Sequence, residues 1–222
     1  MKLKSLVWDL DGTLVDSAGD IAASVNHVLQ SYQLPAVTVE QVRMMIGNGA
    51  VKLLERAFDE VGGEALYQPD EGYGRFLAHY RDHCCRETVA FTGIVDLLAQ
   101  ASAMGLKHGV CTNKPVVMAK LIVDHLFAPG TFSAVVGGDS TACRKPDPEP
   151  LRRCLELMRS DPQEAIMIGD SAADVGVARA GGIPVVLLPW GYTPNGIAEL
   201  KADYEAQDAV GLLALLQDLV KQ

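Results

Sequence analysis

The run Leu6-Val7-Trp8-Asp9-Leu10-Asp11-Gly12-Thr13-Leu14 sets the fold, because three apolar residues stop abruptly at an aspartate and a glycine-bearing turn follows. A short apolar run of this kind reads as a buried strand whose C-terminal loop carries functional groups. Four further segments share the form. Residues 107–111 end in Thr112-Asn113, 134–136 in Gly137, 165–168 in Gly169-Asp170, and 185–188 in Pro189. Between them lie stretches of helical periodicity at 94–104, 116–127, 148–159 and 172–180, the last closed by Gly181-Gly182. This alternation predicts an α/β fold with a doubly wound parallel sheet, in which ligands sit outside the carboxyl ends of the strands.

One stretch breaks the alternation. Residues 16–85 carry helical patterns at 18–32, 39–46, 50–61 and 70–83, separated by Gly47-Asn48-Gly49 and Gly62-Gly63, and no strand pattern. The organisation expected is therefore a core of residues 1–15 and 86–222 with a helical cap of residues 16–85. Leaving directly after the first strand, the cap would sit over the strand ends and exclude water from them. Residues 210–221 read as a C-terminal helix on the sheet.

The formal net charge of −9 is spread without a basic cluster, so nucleic acid and anionic membrane surfaces are poor partners. An acidic chain that binds an anion must gather positive charge locally, from a metal ion, a lysine or helix N-termini. The five cysteines are odd in number and lack zinc-ligand spacing, which fits a reducing compartment. No apolar stretch approaches a membrane span, and the short run before Asp9 is no export signal, so the expectation is a cytoplasmic protein. Oligomeric state is not legible.

Each predicted strand tip carries a polar group with both a functional and an ordinary reading. Asp9 and Asp11 form an acid pair suited to nucleophilic and proton-transfer work and to a hard cation, or else a simple Asp-Gly turn. A calcium loop fails, because no Glu stands twelve positions on from the first Asp. Thr112 and Asn113 can meet a phosphate oxygen or cap a helix. Lys145, in Arg144-Lys145-Pro146-Asp147-Pro148, is a fixed positive charge on a proline-stiffened loop or a surface lysine. Asp170 and Asp174, one helical turn apart, can face one site or cap the following helix.

The order of these motifs resembles the haloacid dehalogenase superfamily of aspartate-nucleophile phosphatases. The matching stretches are Asp9-Leu10-Asp11-Gly12-Thr13, Thr112-Asn113, Lys145-Pro146 and Gly169-Asp170-Ser171-Ala172-Ala173-Asp174. A narrower similarity to the phosphoglycolate phosphatase group rests on Asp16-Ser17-Ala18, Gly47-Asn48-Gly49, Phe91-Thr92-Gly93, Thr112-Asn113-Lys114-Pro115 and Gly191-Tyr192. Trp8, Thr92 and Ala173 depart from the usual Phe, Pro and Asn of the family, and none is a catalytic group.

The resemblance implies a Mg2+-dependent phosphatase acting on a small phosphorylated metabolite, with 2-phosphoglycolate as the leading substrate. Asp9 would be the nucleophile and Asp11 the acid and base. Thr112, Asn113 and Lys145 would hold phosphoryl oxygens. Asp9, the Asp11 carbonyl and Asp170 would hold Mg2+, with Asp174 behind them. Gly47, Asn48, Gly49 and Lys52 are candidates for reading the substrate from the cap. Sugar phosphates and nucleotide monophosphates are alternative substrates. A phosphosugar mutase would need a cap histidine near Ile21, a dehalogenase would not need Asp11, and a non-catalytic phosphate-binding module would have no need of the full set. The five histidines, and Met44, Met45 and Met104, read as packing or surface residues.

Overall fold

The structure, a computed structural model, describes residues 2–193 and 196–221. The first strand, β1 (Ser5–Trp8), leads into a two-residue strand β2 (Val15–Asp16). Four helices follow without interruption by strand, α1 (Ala18–Ser31), α2 (Val39–Met45), α3 (Ala50–Glu60) and α4 (Pro69–His83). The chain returns through β3 (Val89–Ala90) and then alternates: α5 (Ile94–Ala103), β4 (Lys107–Cys111), α6 (Val116–Leu126), β5 (Ala134–Val136), α7 (Glu149–Met158), β6 (Ala165–Gly169), α8 (Ala172–Gly181), β7 (Val185–Leu187), β8 (Tyr204–Glu205) and α9 (Ala209–Lys221).

Six strands form one sheet in the order β5-β4-β1-β6-β7-β8, parallel throughout. The chain moves from β1 out to β5 on one side and then back to β6 on the other. The reversal places the binding crevice at the carboxyl ends of the central strands. The alternation of side chains along a strand divides the core in two. Leu6, Trp8, Ile166, Ile168 and Val186 point to the face covered by α5, α6 and α9, through Leu97, Ile122 and Leu216. Val7, Met167, Val185 and Leu187 point to the other face, against Leu151, Cys154 and Met158 of α7 and Val177 of α8.

The helices match the periodic segments to within a residue or two, including the left-handed Gly182 (φ 69°) that closes α8. The sequence did not mark β8 or the β2–β3 ribbon. Both are two-residue strands, too short to leave a pattern, and the ribbon pairs Val15 with Ala90 and Asp16 with Val89 where the helical insertion leaves and re-enters. Asp20, near the start of α1, ties this junction by accepting the backbone N–H groups of Arg86, Glu87 and Thr88 and the Thr88 hydroxyl.

The indole N–H of Trp8 donates to Nδ1 of buried His108 at 3.2 Å. Nε2 of His108 shares a hydrogen bond with Ser102. Burial pushes His108 down to about 4, so the ring is neutral and its Nδ1 is free to accept. No helix among the described residues is long and apolar enough to cross a membrane.

Candidate active site

Asp9 directly follows β1, and its backbone N–H donates to the Ile168 carbonyl, which holds the tips of β1 and β6 together. Its Oδ1 accepts the Leu10 N–H at 2.7 Å and faces Lys145 Nζ at 3.0 Å. The turn that follows depends on Gly12. Its φ is 82°, and a Cβ there would stand 2.6 Å from Asp170 Oδ2, so only glycine lets the β1 loop lie against the β6 tip.

Asp170 ends β6. Its Oδ1 accepts the Thr13 hydroxyl at 2.8 Å and its Oδ2 accepts the Tyr192 N–H at 2.8 Å. Asp174 lies one turn into α8 and is fully engaged. Its Oδ2 accepts the N–H groups of Asp170 and Ser171 and the Ser171 hydroxyl, while Oδ1 meets Lys145 Nζ at 2.6 Å. Capping and site-building thus fall to the same carboxylate.

Asp9, Asp170 and Asp174 are all buried, and one carboxylate oxygen of each lies within 4.8 Å of the others. Burial, opposed by Lys145 and reinforced by Asp174, pushes Asp9 up to about 6. Burial with Asp174 and Asp9 pushes Asp170 up to about 8. Burial would lower Lys145, but Asp174 and Asp9 outweigh it and hold the ammonium firmly protonated. Three carboxylates against one ammonium leave excess negative charge in an all-oxygen donor set, which suits a hard divalent cation. Because Asp174 is saturated, Asp9 and Asp170 are the carboxylates with capacity to spare.

Asp11 points elsewhere. Its carboxylate accepts the Ser17 hydroxyl at 2.5 Å and Lys114 Nζ at 2.8 and 3.0 Å. Thr112 is buried at the tip of β4, and its Oγ1 accepts the Lys114 N–H at 3.3 Å, leaving its own hydroxyl proton free to be donated.

Asn113 departs from the expectation. Its side-chain amide is spent within the protein: Nδ2 donates to the carbonyls of Gly47 (2.9 Å) and Lys145 (3.1 Å), and Oδ1 accepts the Lys145 N–H (3.0 Å). The residue ties the insertion to the lysine loop, and its side chain has no donor left for a phosphoryl oxygen. Lys52 also departs. Helix α3 buries Ala50, Leu53, Leu54, Ala57 and Phe58, which turns Lys52 to solvent, where it pairs with Glu55.

A cavity of about 50 Å³ lies beside the acid pair, between Asp9, Asp11, Thr112 and Lys114 on one side and Ile21, Leu53, Phe76 and Tyr80 of the insertion on the other. Gly47 and Gly49 line it too, while Asn48 lines an adjoining space of about 270 Å³ with Arg56, Asp170 and Tyr192. Sequence reasoning assigned no role to Lys114, Ser17, Thr13 or Tyr192. Tyr192 links the parts, since its hydroxyl donates to Asp16 at 2.6 Å and accepts the Ser17 N–H at 2.8 Å. Asp16 is held in turn by Arg43 of α2 at 2.8 Å. The motif stretches containing Thr13, Ser17, Lys114 and Tyr192 were visible, but not the direction of each side chain.

A parallel sheet flanked by helices, with acids and one lysine gathered at its strand tips beside a run of four helices, is the architecture of a hydrolase with a doubly wound α/β core. Residues 6–188 match the model of the haloacid dehalogenase-like hydrolase family, and the chain belongs to that family. It is 38% identical to a phosphoglycolate phosphatase of Rhodospirillum rubrum, over 90% of this chain and 85% of that one. It is 35% identical to one of Agrobacterium fabrum, over 97% and 94%. A crystal structure of a predicted phosphoglycolate phosphatase from Haemophilus somnus superposes with a TM-score of 0.90 at 31% identity, covering 98% of this chain and 99% of that one.

Proposed function

We propose that this chain is a Mg2+-dependent phosphatase that removes the phosphoryl group from a small phosphorylated metabolite, 2-phosphoglycolate first among them. The observation that carries this is the pairing of Asp9 and Asp11 at one cavity in two different charge environments. Asp9 lies with Asp170, Asp174 and Lys145, whereas Asp11 lies with Ser17 and Lys114. One acid is placed to attack and the other to handle protons. The phosphoglycolate phosphatases of R. rubrum and A. fabrum, similar over nearly their whole length, support the substrate class.

Asp9 attacks phosphorus in line, and the bond from phosphorus to the leaving oxygen breaks as Asp11 gives that oxygen a proton. The product is a phosphoaspartate on Asp9 and a free alcohol. Asp11 then takes a proton from water, the water oxygen bonds to phosphorus, and the bond to Asp9 breaks to release inorganic phosphate. Thr112 and Lys145 hold phosphoryl oxygens throughout, and Lys145 balances their growing charge.

Mg2+ would be held by Asp9, Asp170 and the Asp11 carbonyl, with Asp174 behind them orienting Lys145 and Asp170, and it supplies further positive charge for the phosphoryl oxygens. Residues 16–85 act as a cap over this centre, joined to the core of residues 1–15 and 86–222. Gly47 and Gly49 line its inner surface.

Ile21, buried in the cavity wall, offers no proton-transfer group of the kind a mutase would use there. The test is release of inorganic phosphate from a panel of phosphorylated metabolites, ranked by kcat/KM, with Mg2+ and with EDTA. The proposal expects 2-phosphoglycolate at the head of the ranking and no turnover in EDTA. Metal-independent release, or none from any ester, would overturn it.

A further inference from the structure

Lys114 is the one lysine or arginine among the described residues lining the cavity beside Asp9 and Asp11. Its side chain is 3% exposed, and its ammonium lies 2.8 Å from Asp11 Oδ1 and 4.6 Å from the centre of the Tyr80 ring. A buried lysine is costly to desolvate, and a single carboxylate satisfies only part of its three-donor ammonium. Tyr80 lines the same cavity, and its buried hydroxyl has no hydrogen-bond partner among the described residues. An under-satisfied buried cation lining a cavity is what an incoming anionic oxygen would complete.

Resting on the phosphatase reading, we infer that Lys114 is the specificity-determining residue of this site, and that it selects phosphate esters whose leaving group carries a carboxylate bonded directly to the ester-bearing carbon. The Asp11 contact relates the two positions. Asp11 must touch the ester oxygen to protonate it, and Lys114 is hydrogen-bonded to the same Asp11 carboxylate. A carboxylate bonded to the ester-bearing carbon therefore comes within reach of the ammonium, while one farther along the chain is carried away from it, toward the apolar side chains of Ile21, Leu53 and Phe76 or the adjoining space. With substrate bound, the ammonium is shared between Asp11 and the substrate carboxylate.

The experiment compares 2-phosphoglycolate with 2-hydroxyethyl phosphate, which keeps the chain length and replaces the carboxylate with an alcohol. The wild-type protein is expected to prefer the carboxylate by about 100-fold in kcat/KM, and Lys114→Met to reduce that preference to within about threefold. If Lys114→Met lowers both esters equally and keeps the preference, Lys114 serves only to position Asp11 and the inference is overturned. A reading that needs no variant uses the wild-type protein with p-nitrophenyl phosphate. Glycolate should inhibit at concentrations where ethylene glycol does not, and equal inhibition overturns the inference. Absence of turnover of every ester by the wild type overturns the phosphatase reading itself, and so is distinct from a loss of selectivity.

Discussion

The Asn113 side chain, at the tip of β4, donates to the carbonyl of Gly47 in the loop between α2 and α3 at 2.9 Å, across 66 positions of sequence. The same amide brackets the Lys145 peptide from both sides. One side chain therefore ties the loop between α2 and α3 to the backbone of the lysine beside Asp9. Asn113→Ala should cost about 1–3 kcal/mol, since it orphans buried backbone groups. It should also lower kcat/KM by about 10-fold or more and speed proteolysis within residues 16–85. Thermal unfolding with limited proteolysis checks this, and an unchanged digestion pattern would show that the tie does not hold the insertion.

Lys145 bridges Asp9 and Asp174 with its side chain only 1% exposed. Lys145→Met leaves those carboxylates buried without their counter-charge, so a loss of about 3–5 kcal/mol is expected, and turnover should fall by at least about 100-fold. Lys145→Arg should regain stability without regaining rate, because a planar guanidinium does not reproduce a point charge at this spot. Chemical denaturation and steady-state kinetics on both variants separate the two effects.

The crowded acids set a pH dependence with a definite sign. Asp9 and Asp170 are raised to about 6 and about 8 in the fold from an ordinary value of 3.8. The folded state therefore binds more protons than the unfolded one between those values. Without metal, the associated stability is fully present below about pH 4 and is lost as pH rises through about 6 to 8. Bound Mg2+ would relieve the repulsion, so its addition should raise Tm more at pH 8 than at pH 5, and Asp170→Asn should remove most of that gain. A Tm shift by Mg2+ that is the same at both pH values would contradict the assignment.

Trp8→Phe tests the other face of the sheet. It removes the N–H that satisfies His108 Nδ1 in the core and leaves a small void, at an expected cost of about 1–3 kcal/mol. Turnover should change by less than about threefold, because the pair lies within the core beneath α5. A large kinetic defect at unchanged stability would show that Trp8 acts on Asp9.

What the sequence disclosed follows from the range of the interactions involved. Strand tips at Asp9, Thr112, Gly137 and Asp170 were legible because a buried parallel strand is an apolar run, and its end is where polar residues resume. The helical insertion was legible from its period. Lys52 belongs to the outer face, as the apolar phase of Ala50, Leu53, Leu54, Ala57 and Phe58 already states. Asn113 and Lys114 illustrate a harder limit. Their partners Gly47 and Asp11 are 66 and 103 positions away, and no local pattern states which way a side chain points from a loop. The ribbon strands, two residues each, were too short to carry a period.

The central claim is that Asp9 is the group that takes the phosphoryl. Phosphate release from 2-phosphoglycolate with Mg2+, measured side by side for the wild type and Asp9→Asn of equal Tm, tests it most directly. The account predicts turnover by the wild type and less than about 1% of it in the variant. A folded Asp9→Asn protein that keeps more than a few per cent of the wild-type rate would contradict it.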